Sequence, residues 1–245
     1  MAEGTAEAGC LHVVSSNAGT LFADLAAAGP WWLQAYIPPD RDLFRPVVEA
    51  AVAAGARAVA LTVDTPYPGS KPDVDDADWT GIDLGFWRRN YPEDDTGQWA
   101  KDLTGDDVAW LRETAGVPVV VKGVLRGDDA LRCLDAGADA IYVSNHGGRQ
   151  LDRAVSTASV LREVVDAVGD RAEVYVDGGI RSGVDALAAL ALGARAVFVG
   201  RPALWALGVA GAPGVARLLQ ELKAELQEAL ELAGCATPAD ARDLL

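Results

Sequence analysis

Seven short apolar runs recur along the chain, each followed by a stretch of helical period, and this alternation limits the fold more than any other feature. The runs are His12 to Ser16, Trp32 to Ile37, Val59 to Asp64, Val117 to Gly123, Ala140 to Asn145, Glu173 to Gly179 and Ala196 to Gly200. Short, β-branched and nearly uninterrupted, they suit strands covered on both faces, as in parallel sheets joined by crossover helices. The segments between them, such as DLFRPVVEAAVAAG and TASVLREVVDAVG, supply those crossovers. Four close on a glycine suited to a left-handed cap, Gly55, Gly116, Gly137 and Gly193. The pattern predicts an α/β fold, a TIM (β/α)8-type barrel with seven βα units present and the first strand lacking.

A chain of 245 residues matches one such barrel, so residues 1–245 are read as a single domain. Residues 66–105 break the rhythm with DVDDADWTG and GFWRRNYPEDDTGQW. An insertion this long after a strand is expected over the active-site face of a barrel, or as a solvated surface loop.

Charge and cysteine usage narrow the function. The formal net charge of -15 repels nucleic-acid backbones and anionic lipid over any long approach. A small anionic substrate remains compatible, because a few cations set the potential inside a pocket. Cys10, Cys133 and Cys235 share no ligand spacing with His12 and His146, so no metal site is expected. The N-terminus lacks a basic stretch followed by an apolar run, and no window of about 20 residues reads as apolar enough to span a bilayer. The expectation is a cytoplasmic protein without a membrane segment.

In a β/α barrel the residues at the C-terminal ends of the strands build the site. Lys122 ends the run Val117-Pro118-Val119-Val120-Val121, where burying an ammonium is costly unless an anionic group meets it. The competing reading is a stem packed on the barrel with its amine snorkelling to water. His146 lies in SNHGGRQLD, with Arg149 three residues on. The imidazole titrates near neutral pH, and the guanidinium offers a fork for a carboxylate. The loops VYVDGGIRSG and VFVGRPALW place Gly178, Gly179 and Gly200 amides beside Arg181 and Arg201, a set that satisfies a phosphate dianion. Tight turns alone would also account for those glycines.

Taken in order, LTVDTP, VVVKGV, SNHGGRQLD and DGGIRSG resemble the FMN-dependent 2-hydroxy-acid oxidase and dehydrogenase family, over essentially the whole chain. The resemblance implies FMN as cofactor and oxidation of an (S)-2-hydroxy acid to a 2-oxo acid. Oxygen or another acceptor would then reoxidise the flavin. It implies His146 as the active-site base and Asp64 as the partner that stabilises its imidazolium. Tyr36 and Arg149 match the residues that hold the substrate carboxylate, and Lys71 stands where a second substrate-binding arginine is common. Lys122 matches the lysine beside the flavin N1 and C2 carbonyl, and Ser15, Gln34 and Thr62 the contacts to the isoalloxazine ring. Asp177, Gly178, Gly179, Arg181, Gly200 and Arg201 match the ribityl and phosphate contacts. A homo-oligomer is expected on the same ground.

Two departures stand out. Family members usually carry a further N-terminal portion that includes the first barrel strand, and Asn17 replaces a tryptophan common in the substrate pocket, which suggests a roomier or more polar pocket. An open seven-stranded barrel exposes a strand edge, so a non-catalytic fragment or one half of a split flavoenzyme is the alternative reading.

Overall fold

The seven apolar runs form β1 (His12–Ser15), β2 (Trp31–Ala35), β3 (Ala56–Thr62), β4 (Val119–Val124), β5 (Ala140–Val143), β6 (Glu173–Asp177) and β7 (Ala196–Phe198). The computed structural model describes residues 1–25, 28–67, 69, 87–93 and 95–244. All neighbours pair in parallel in the order β1-β2-β3-β4-β5-β6-β7. The helices are α1 (Ala2–Glu7), α2 (Phe22–Leu25), α3 (Arg45–Ala53), α4 (Gly105–Ala115), α5 (Gly127–Asp135), α6 (Thr157–Val168), α7 (Gly183–Ala191) and α8 (Arg201–Leu232). Strand ends differ from the sequence reading by a few residues, because the apolar runs continue into the turns. The short α1 is an addition that the apolar pattern does not announce.

Each strand alternates between two cores. Leu33, Val59, Leu61, Val119, Val121, Ile141, Val143, Val174 and Val176 face the helices in the main hydrophobic core. The opposite parity lines the inner face with Ala60, Val120, Ala140 and Tyr142, against which Trp32, Tyr175 and Phe198 pack. The Tyr142 and Phe198 rings stack with centroids 4.7 Å apart, and Trp32 of β2 lies 5.7 Å from Phe198 of β7. Contact between side chains five strands apart requires the sheet to curl, and an aromatic layer fills the floor of the half-barrel. Continuing the inner parity to the strand ends brings Ser15, Gln34, Tyr36, Thr62, Asp64, Lys122 and Asp177 to one mouth.

The turns follow from local chemistry. Gly55, Gly116, Gly137 and Gly193 all take positive φ, between 61° and 102°, so the left-handed stops read from sequence are present. Thr104 with Asp107 and Ser182 with Asp185 form capping boxes that start α4 and α7.

One expectation is corrected. Helix α8 contains a window of mean hydropathy 1.3, of which only 22% is buried, so by length and composition it is apolar enough to cross a membrane. This differs from the sequence expectation that no window of about 20 residues spans a bilayer: the apolar residues from Pro202 to Val209 lead directly into those beyond Pro213. The helix is broken at Ala210 and Gly211, where the backbone leaves helical geometry just before Pro213. Arg217, Glu221, Lys223 and Glu225 crowd the half that follows.

Candidate active site

Three adjacent strand ends carry the centre of the site. Beyond β3, Asp64 Oδ1 lies 3.1 Å from Nδ1 of His146, which follows β5. With the carboxylate accepting from Nδ1–H, the lone pair resides on Nε2 and the ring is held in one tautomer. His146 adopts φ 55°, Gly147 65° and Gly148 75°, a left-handed turn that two glycines permit and that the histidine shares at some cost. Asn145 secures the turn, accepting from the Gly148 amide at 3.2 Å and donating to the Val155 carbonyl at 3.1 Å.

The approach of β3 to β4 depends on a missing side chain. Gly123 follows Lys122 with φ 112°, and a Cβ there would stand 2.7 Å from Cβ of Asp64. The glycine therefore sets how closely the carboxylate comes to Lys122.

Lys122 is only 6% exposed, and snorkelling is excluded. Its ammonium donates to Ser144 Oγ at 2.9 Å, lies 3.8 Å from Asp177 Oδ2 and faces the Tyr142 ring. Burial, then the Asp177 charge, pushes the Tyr142 hydroxyl well above its ordinary range. Among the described residues, neither the other oxygen of Asp177, Oδ1, nor Oδ2 of Asp64 has a hydrogen-bond partner, and both are buried. Buried carboxylate oxygens without donors are rare in finished structures, so both point to a group that completes the site.

On the next wall, Gln34 Nε2 donates to Tyr36 Oη at 3.0 Å and to Thr62 Oγ1 at 3.1 Å. Burial first, and the Asp64 charge second, raise the Tyr36 hydroxyl well above its usual range, so it stays protonated and able to donate. Arg149 is exposed, and among the described residues its guanidinium has no ion pair, leaving the fork free for a carboxylate. Its charge opposes the rise at Tyr36, which puts the two groups in electrostatic reach. Lys71 lies outside the described residues.

The glycine loops end the remaining strands. Gly178 and Gly179 take φ 93° and 83°, and a side chain on Gly178 would collide with Thr157 Oγ1. Arg181 packs its guanidinium over Trp205 and donates to the Ile180 carbonyl, while Arg201 Nη2 donates to the Gly147 carbonyl at 2.9 Å. Gly200 caps the start of α8. Arg201 thus joins the end of β7 to the His146 turn. Ser15, at the end of β1, accepts from the Asn17 amide at 3.1 Å. A cavity of about 210 Å³ beside Gly178 lies between α6 and α7 on the helix side of the sheet, and the polar groups converge instead on the open inner face.

Several residues that position the site carry no sequence signal. Arg88 is buried and holds both oxygens of Asp95, at 2.7 and 2.6 Å. It also donates to Asn17 Oδ1 at 3.2 Å, and Tyr91 Oη meets Ser16 Oγ at 2.8 Å. The last part of the insertion is therefore bolted to the end of β1. Asn17 is engaged in that bolt through its side-chain oxygen. A buried pair across a loop has no spacing to read, whereas Ser144 was available from the parity of its strand.

The whole chain, residues 1–245, matches the family described as FMN-dependent dehydrogenase. The chain belongs to that family. It is 43% identical to 2-hydroxyacid oxidase 1 of Mus musculus over 244 residues, covering 91% of this chain and 66% of the relative. Identity to the L-lactate oxidase of Nostoc is 45% over 221 residues, 83% of this chain and 60% of the relative. A crystal structure of mandelate oxidase with 3,3-difluoro-2-hydroxy-3-phenylpropionic acid superposes with a TM-score of 0.91 at 40% identity, over 99% of this chain and 71% of that one. The chain thus spans less than two thirds of the length of these two oxidases, and the part it spans is a curled seven-stranded portion of an FMN-dependent β/α barrel.

Proposed function

We propose that this chain carries the active site of an FMN-dependent 2-hydroxy-acid oxidase, converting an (S)-2-hydroxy acid to its 2-oxo acid. The observation that carries the reading is the 3.1 Å pair of Asp64 with His146 at the same mouth as a buried Lys122. His146 Nε2 receives a proton from the substrate, and Asp64 stabilises the imidazolium that results. Tyr36 and Arg149 hold the substrate carboxylate by one hydroxyl and a bidentate fork.

The residues fit FMN. Lys122 would stand beside the ring, whose reduced form is anionic, and the unpartnered Oδ1 of Asp177 would accept from a ribityl hydroxyl. Amides of Gly178, Gly179 and Gly200 with Arg181 and Arg201 would hold the phosphate, and Ser15, Gln34 and Thr62 the ring edge. Bound FMN supplies the acceptor for the two electrons that leave the substrate, and oxygen is the proposed final oxidant. Homo-oligomerisation and a cytoplasmic location belong to the same proposal.

Purified chain mixed with FMN should turn yellow and bleach anaerobically with lactate, glycolate or mandelate. Failure to retain FMN under any refolding condition would overturn the reading. Among the described residues no strand pairs with the outer edges of β1 and β7, which favours a second reading, in which this chain holds the site but turns over only when a further strand closes the barrel. Flavin retention without bleaching would select it.

A further inference from the structure

Ser144 directly follows β5 and is completely buried. Its Oγ accepts two hydrogen bonds, from Lys122 Nζ at 2.9 Å and from the backbone N–H of His146 at 3.1 Å. One oxygen thus touches both the buried ammonium and the residue that carries the base, with both of its lone pairs in use.

Neither donor has an easy substitute. Around Lys122 the remaining polar contact is Asp177 Oδ2 at 3.8 Å, beyond hydrogen-bond length, and the other neighbour is the Tyr142 ring face, 5.4 Å from Nζ to its centroid. His146 sits at φ 55°, in a region that side-chain-bearing residues avoid, and the hydrogen bond from its backbone N–H to Ser144 Oγ helps hold it there. The cap of Asn145 is already committed to Gly148 and cannot take over that amide. The register pairs Lys122 with Tyr142, two residues before Ser144 on the same inner parity, so the contact is built into the sheet.

We propose that Ser144 is a positioning residue that locks Lys122 to the His146 turn, so that the cation serving the flavin and the base serving the substrate keep one mutual geometry. For its consequence in catalysis this rests on the flavoenzyme reading; the lock itself does not.

The test begins on the flavin-free chain, with amide hydrogen exchange at His146 as readout. Ser144→Ala should speed that exchange about tenfold, the factor that one ordinary hydrogen bond gives. Lys122→Met should also speed it, and should add nothing in the Ser144→Ala background, since coupled residues are non-additive. Ser144→Thr, which keeps the oxygen, should restore protection, and Ser144→Ala decides alone if the threonine variant does not fold. A Lys122→Met chain whose His146 exchange equals the parent's overturns the lock. With FMN bound, sulfite affinity reports positive charge beside the ring, and Ser144→Ala should weaken it about tenfold while flavin stays bound. Unchanged sulfite affinity overturns the proposed role in catalysis. A parent chain that takes up no FMN counts against the flavoenzyme reading and leaves the exchange result to decide the lock.

Discussion

The middle of the sheet and its two edges are built differently. Val59, Leu61, Val119, Val121, Ile141 and Val143 of β3 to β5 are 0% exposed, whereas β1 buries only Val14 and β7 has no fully buried residue. Asp64, His146 and Lys122 lie at the ends of the central strands, and the glycine loops with their arginines lie on the more exposed flank. Under the proposed function, the geometry that proton transfer requires is thus placed where packing leaves little room to move, while the loops proposed to hold a phosphate sit on a looser frame.

The sharpest test of the centre is His146→Ala in FMN-loaded protein. It should slow substrate-driven bleaching at least about a thousandfold with flavin still bound, read by anaerobic stopped-flow absorbance. Turnover near the parent's would mean that the buried centre is not where the proton goes. At the β1 edge, Arg88→Met leaves Asp95 buried and unpaired and frees Asn17, at a cost of about 3 kcal/mol in urea denaturation. A cost under about 0.5 kcal/mol would show that the insertion does not brace that edge.

Gly123→Ala returns to the centre, where the added methyl meets Asp64 and the backbone holds φ 112°. A loss of about 2 kcal/mol in stability is expected, with slowed flavin reduction, and a neutral result would show slack between β3 and β4.

The smallest effect belongs to His12, which opens β1 with its Nδ1 buried and unpartnered. Burial lowers its pKa from 6.5 to about 4, so the fold favours the neutral ring. Between those values the unfolded chain binds more protons, and stability falls as pH drops through this window, then levels. Allowing for partial solvent screening, the loss is about 1 to 2 kcal/mol from near pH 7 to near pH 4. In His12→Leu that share of the acid sensitivity should vanish from denaturation curves. If the pH dependence is identical in both chains, the edge histidine is solvated.

Much of this was legible before any coordinates. Seven strands followed from seven apolar runs because parallel strands buried on both faces need unbroken apolar sequence. Lys122, His146 and the glycine loops stood out because each is expensive or unusual where it occurs. Asp64 and Tyr36 are legible as candidates from their places at strand ends, but their roles come only from the family resemblance, since a carboxylate or phenol there has no spacing of its own. The apolar stretch of α8 was missed, because Gly208, Gly211 and Pro213 read as a loop in sequence, whereas in space they form a kink between two helical halves.

The strand count, the helix stops and the residue types at the mouth can all be read from the chain, because they depend on local periodicity and backbone preference. The partnerships arise only in the folded molecule: Asp64 with His146 across 82 positions, Lys122 with Ser144 across 22, and Arg88 with Asn17 across 71. These contacts depend on how far the sheet curls and in what register neighbouring strands pair. That information resides in the packing of whole side chains between layers, and no stretch of the chain carries it alone.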